Sequence, residues 1–153
     1  MIKEELIQQT TNNNLSFAKK LWLTNRTYKR DSSPKGYAAV ISSIKIIFDF
    51  SDSKIEKEGM VTDGYRDGSI DGVVFDANNK TINFLNVSNT GDGLGYKEEK
   101  DIFDDIESNF LDEDNDLSGL NIRIRNKLID AKKEYFENDW KFVIHIIRLK
   151  ALP

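Results

Sequence analysis

A chain of 153 residues is long enough for one domain with its own core and too short for two of ordinary size. With 39% hydrophobic, 31% charged and 10% aromatic residues, only 9 Gly and 2 Pro, its composition is globular and excludes long disorder and collagen-like repeats. The absence of cysteine excludes disulfides, thiolate catalysis and cysteine-ligated metals, the single histidine, His145, excludes multi-histidine zinc sites, and a formal charge of −4 argues against a generic electrostatic nucleic-acid binder.

No run approaches the roughly 18 apolar residues of a membrane span, and Met1 to Leu6 lacks a signal-peptide core, so no membrane partner is expected and the expected location is the cytoplasm. Charge is unevenly spread. From Phe17 to Lys35 six cations (Lys19, Lys20, Arg26, Lys29, Arg30, Lys35) face one acid, Asp31, whereas Glu98 to Asp116 holds ten acids against Lys100. The first run could meet phosphate and the second would repel it, although both also fit solvated faces and loops.

Leu15, Ala18, Leu21 and Trp22 recur at helical spacing, and so do Val40, Ile41, Ile44, Ile47 and Phe48. Between them Asp31 to Gly36 is loop chemistry, which starts the second helix near Gly36. A charged connector, Ser51 to Gly59, precedes a hairpin. Its first strand contains Ile70, Val73, Val74 and Phe75, its turn is Asp76 to Asn79, and its second strand runs from Thr81 to Val87. Ile82, Phe84, Asn86 and Ser88 alternate to one face, and Asn83, Leu85 and Val87 to the other.

A glycine loop, Asn89 to Gly95, leads to an amphipathic helix marked by Ile102, Phe103, Ile106, Phe110 and Leu111. The spacing of Leu117, Leu120, Ile124, Leu128, Ala131 and Tyr135 predicts a long helix from about Ser118 to Phe136. Trp140 to Leu149 is almost continuously apolar, which predicts a strand buried on both faces. That strand returns through a crossover, parallel to one hairpin arm. The expected fold is α/β (α+β), with a small mixed sheet flanked by helices in one domain over residues 1–153.

The segment Asp63-Gly64-Tyr65-Arg66-Asp67-Gly68-Ser69-Ile70-Asp71-Gly72 is the densest in chemistry. Asp63 and Asp67 read first as Asp-Gly turn formers. Asp71 lies in the strand register, where aspartate is disfavoured unless a partner or a metal compensates. Asp112 to Asp116 is no EF-hand, because Leu117 takes the glycine position and Arg123 the glutamate position. His145 reads as a satisfied core or sheet-end side chain. Trp22 reads as core, with stacking on nucleic acid beside Tyr28 as its alternative.

This segment, followed by Val73-Val74-Phe75-Asp76 and the strand from Thr81, resembles the amino-terminal nuclease-like region of the abortive-phage-resistance (AIPR) family, related to the PD-(D/E)XK endonuclease fold. The resemblance spans roughly Gly36 to Leu149 and implies a restriction-endonuclease-like core from the amino-terminal part of a longer protein. It implies a metal site for Mg²⁺ with Asp71 as ligand and Asn86 at the position of the second ligand. Ser88 stands where the family has its catalytic lysine, so the catalytic set Asp71, Asn86 and Ser88 departs from the pattern. Lys80 begins the same strand but lies about 27 Å from Ser88 along an extended chain; only Lys97 or a basic residue from another element could replace the lysine.

The leading expectation is a catalytically degenerate nuclease-like domain of phage defence that binds nucleic acid, through Lys19, Lys20, Arg26, Lys29 and Arg30, or a protein partner. An active Mg²⁺-dependent nuclease with a relocated lysine is the second. An acidic interaction or inhibitor module, dimeric or bound to another component, is the third.

Overall fold

Among the residues described by the computed structural model, 3–26, 33–89 and 98–149, three strands form one mixed sheet. β1 (Gly72–Asp76) and β2 (Thr81–Asn89) make the expected antiparallel hairpin, and β3 (Lys141–Leu149) runs parallel to β2 on its far side. The hairpin reverses where the Asp76 carboxylate accepts from the Asn79 backbone N–H and side-chain amide. Lys80 completes the turn at φ 49°.

Side-chain alternation gives the sheet two apolar faces. Val74, Leu85, Val87, Ile147 and Leu149 meet α1 (Lys3–Thr10), α2 (Leu15–Asn25) and α3 (Pro34–Phe48), while Val73, Ile82, Phe84, Phe142, Ile144 and Ile146 meet α5 (Glu99–Phe110) and α6 (Ile122–Glu137). Each fully buried Ile, Leu or Phe contributes about 1.5–3 kcal/mol, so these layers hold the sheet more than its short ladder does. Ser33 starts α3 by accepting from Gly36 N–H, with Pro34 in the first turn, and Asp49 ends it in the left-handed region.

Four expectations are corrected. The connector after α3 contains a further helix, α4 (Asp52–Lys57), because Ser51 caps it and Ile55 is buried. The long helix α6 starts at Ile122 rather than Ser118, since the Asn121 side chain accepts from Ile124 N–H. β3 is an edge strand covered by helices on both faces, but its burial is incomplete near its start, with Val143 42% exposed. Helix α1 was not expected at all; it anchors through Ile7.

His145 is half-buried and hydrogen-bonded in β3. Its Nε2 pairs with Asn83 Oδ1 at 2.9 Å, its ring meets Phe48 edge-on, and burial together with Lys3 pushes its pKa down. Trp22 packs against the core, with Arg26 over its ring. No helix among the described residues is long and apolar enough to cross a membrane.

Candidate metal centre

The aspartate segment is a closed loop pinned at its neck. Backbone N–H groups of Thr62 and Asp63 both donate to the Asp71 carbonyl, at 2.9 and 3.0 Å, and the Thr62 hydroxyl donates to the Ile70 carbonyl. A single bridge between Val61 and Gly72 adds the entering chain to the outer edge of β1. Inside the loop Arg66, Gly68 and Ser69 adopt φ of 60°, 67° and 70°. A Cβ on Gly68 would stand 3.2 Å from Asn109 Nδ2, a tight approach at a φ that favours glycine.

Helices α5 and α6 hold the loop from outside. Ser69 Oγ donates to Asp105 Oδ2 on α5 at 2.6 Å. Asn121, buried at the head of α6, uses three groups at once: its N–H donates to the Arg66 carbonyl, its Nδ2 to the Tyr65 carbonyl, and its Oδ1 accepts from Ile124 N–H. Replacing Asn121 by alanine therefore removes a helix cap and a loop tether together. An expected loss of about 2 kcal/mol is measured by urea denaturation, and a loss below about 0.5 kcal/mol would show the tether to be idle.

This closure brings Asp63, Asp67 and Asp71 together, with one carboxylate oxygen from each lying within 4.8 Å of the others. Asp71 is fixed most firmly. Its N–H donates to the Leu85 carbonyl and its Oδ2 accepts from Val87 N–H, both at 2.7 Å, so it bridges the end of β1 to β2. The Asp67 carboxylate accepts from the N–H groups of Gly64 and Ser69, serving the turn and the cluster together. The reading of Asp63 and Asp67 as turn formers alone is thus incomplete.

Burial and the neighbouring Asp63 charge push the Asp67 pKa up to about 7. Burial, then Asp63 and Asp67, push Asp71 well above the usual carboxylate range. Three carboxylates crowded in this way either retain protons or take a cation in their place. A donor set of carboxylate oxygens alone fits a hard divalent ion such as Mg²⁺, Mn²⁺ or Ca²⁺, so the triad could hold a metal ion.

Asn86 sits opposite Asp71 by register, and its Nδ2 donates to the Ser69 carbonyl at 2.8 Å, which makes it a tie for the loop. Ser88 Oγ accepts from Arg148 Nη1 of β3 at 2.6 Å. Lys19 and Lys20 are exposed on α2 and Arg26 ends that helix. Arg123 links that end to the loop, donating to the Asn25 carbonyl at 2.7 Å and the Asp63 carbonyl at 3.3 Å. Lys29, Arg30, Tyr28, Lys97 and the Gly91 to Gly95 loop lie outside the described residues.

Sequence reasoning missed Arg123 and Arg148. The signal for Arg148 was its place on the alternating face of Phe142, Ile144 and Ile146, one step past the apolar residues. A cavity of about 510 Å³ between β1 and α6, lined by Phe75, Trp140, Lys127 and Glu134 among others, includes none of the triad. No protein-family model, curated protein or solved structure matches this chain.

Proposed function

We propose that this domain is a nuclease-like module of the phage-defence type that holds Mg²⁺ at Asp63, Asp67 and Asp71 and engages nucleic-acid phosphate without ordinary hydrolysis. The observation that carries the reading is the convergence of three carboxylates at the entrance to β1. Element order supports it: α3, then Asp71 at the start of the hairpin, then β2 with Asn86 and Ser88, the acidic α5 and the returning parallel β3. That order is consistent with the restriction-endonuclease-like core the family resemblance implies.

A bound divalent cation would neutralise the carboxylates and attract phosphate oxygens. Asp71 would be its best-oriented ligand, because Val87 N–H fixes one oxygen and the strand fixes the backbone. Exposed acids on α5, Asp101, Asp104 and Glu107, repel a polyanion from that side. Lys19, Lys20 and Arg26 favour approach from the α2 side, which Arg123 joins to the loop. Ser88 carries no charge for a phosphorane-like transition state, so binding is the expected activity.

An active nuclease is the second reading, favoured by the Arg148 guanidinium bonded to Ser88. Calorimetric titration of Mg²⁺ and Mn²⁺, with parallel incubation of labelled single- and double-stranded DNA and RNA, separates the two. Metal uptake with metal-dependent binding of intact strands is the expected result. Cleavage that Asp71→Ala abolishes would replace it with the second reading, and absence of both metal heat and strand binding would overturn both.

A further inference from the structure

We infer that the cavity between β1 and α6 binds an uncharged purine nucleoside, whose base pairs with the open outer edge of β1. The site is separate from the metal centre, because the cavity of about 510 Å³ is lined by none of the three aspartates. That volume falls within the roughly 300–1,000 Å³ of small-molecule sites.

The strand edge supplies the polar groups. Val73 N–H donates to the Met60 carbonyl at 2.9 Å, away from β2, so Val73 with Phe84 and Phe75 with Ile82 are the pairs of the hairpin that exchange no backbone bonds. The Val73 carbonyl and the N–H and carbonyl of Phe75 therefore point outward too. The entering chain does not reach them. It leaves the strand before Met60, where Gly59, just past α4, takes φ 59° and donates to the Glu56 carbonyl. Among the described residues these three groups have no hydrogen-bond partner, and the two residues that carry them line the cavity.

An acceptor, a donor and an acceptor in a row over about 7 Å match the edge of a planar nitrogen heterocycle. In adenine an amine lies beside a ring nitrogen, so the amine would donate to a strand carbonyl while the nitrogen accepts from Phe75 N–H. A peptide strand fits less well, because the open stretch covers two residues and is closed by the Met60 pairing at one end and the Asp76 turn at the other. The walls suit a ring. Phe75 and Trp140 meet at 6.2 Å with 66° between their planes, and Trp140 is held there by its N–H on the Glu134 carbonyl of α6. The Lys127 ammonium, over the Phe75 ring and bonded to the Glu58 carbonyl, ties α6 to the end of α4 across the cavity. Such aromatic surfaces stack on bases. Charge selects a nucleoside over a nucleotide: Glu58, Asp130 and Glu134 outnumber Lys127 and Lys133 around the cavity, which disfavours phosphate and offers acceptors to sugar hydroxyls.

The test is calorimetric titration of adenosine into the whole chain with chelator present, so that the metal centre plays no part. A Kd on the order of 0.1 mM is expected. Adenosine with carbon in place of the ring nitrogen beside the amine, and adenosine dimethylated on the amine, should each bind about tenfold or more weaker. Adenosine monophosphate should bind about threefold or more weaker. On the protein side, Phe75→Pro removes the outward N–H at an edge position where proline is tolerated, and Phe75→Leu keeps it; the proline variant should bind about tenfold weaker than the leucine variant. The analogues are read on wild type and decide the matter if Phe75→Pro fails to fold. No heat up to about twentyfold above the expected Kd, equal affinity for adenosine and its two analogues, tighter binding of the monophosphate, or equal binding by the proline and leucine variants would each overturn the inference and leave the reading of the metal centre untouched.

Discussion

Asp71→Asn is expected to lower divalent-cation affinity by about a hundredfold or more and, in the same protein, to raise the melting temperature of the metal-free form near pH 8. The two effects share one cause. Asp71 is buried against Asp63 and Asp67, and both Asp67 and Asp71 have pKa values raised above the ordinary 3.8. A carboxyl group whose folded pKa is raised binds its proton more tightly folded than unfolded. Its stabilising contribution is complete below the unfolded pKa and is lost as pH rises through the folded one. For Asp67 the loss spans from near 3.8 to about 7, and for Asp71 it extends further in the same direction.

Metal-free wild type should therefore melt progressively lower from pH 5 to pH 8, and saturating Mg²⁺ or Ca²⁺ should flatten that slope by replacing the protons. Asparagine keeps an oxygen for Val87 N–H and removes one charge, so the variant is expected to be the more stable of the two at the alkaline end. Thermal melts across this range, with chelator and with metal, read both effects. Metal binding should also release protons, seen as calorimetric heats that change with the buffer's ionisation enthalpy. A melting curve equally insensitive to pH and metal in wild type and variant would eliminate the cluster as a metal centre.

Much of the scaffold was legible because its signals are periodic. Alternation in Ile82 to Val87 predicted which residues face each layer, and Phe84 and Leu85 do face opposite ones. The spacing from Ile124 to Ala131 marked α6 with its buried stripe. The misses have physical causes. Helix α1 buries one apolar residue, Ile7, too few to make a period. The apolar run of β3 predicted burial on both faces, and helices do cover both, but Val143 near the strand's start is 42% exposed.

The site was half visible for a different reason. Asp71 stood out because an aspartate in strand register needs compensation. Asp63 and Asp67 did not, since Asp-Gly is equally the chemistry of a turn, and Asp67 does bond the Gly64 and Ser69 N–H groups. Only the neck of the loop, closed by Thr62 and Asp63 on the Asp71 carbonyl, turns spacing along the chain into proximity. Alternation put Arg148 on the face of Phe142, Ile144 and Ile146, but its pairing with Ser88 depended on the register of two strands about 60 residues apart, which no local pattern encodes.

Phe110→Ala should be the most destabilising single truncation, costing about 3–5 kcal/mol. Phe110 is wholly buried at the end of α5, and its ring meets Phe84 at 5.0 Å, Tyr135 at 5.2 Å and Phe142 at 5.2 Å. Those rings come from β2, α6 and β3, and Tyr135 also touches Phe142, so one side chain joins four elements. Truncation leaves a cavity whose walls are themselves aromatic and interlocked, and collapse is hindered. Phe110→Leu, which keeps most of the volume, should cost about 1–1.5 kcal/mol, and Ile129→Ala, at a residue 53% exposed, within about 0.5 kcal/mol. The damage should also reach the metal centre. Asp105 holds Ser69, and Asn109 packs against Gly68, both from the two turns of α5 that Phe110 anchors. Urea denaturation of the three variants, with Mg²⁺ titrations on those that remain folded, is expected to show a large stability loss for Phe110→Ala and weaker metal binding for Phe110→Leu than for Ile129→Ala. Equal metal affinity in these two variants would mean that the carboxylate loop is shaped by its own neck and by Asn121, independently of α5.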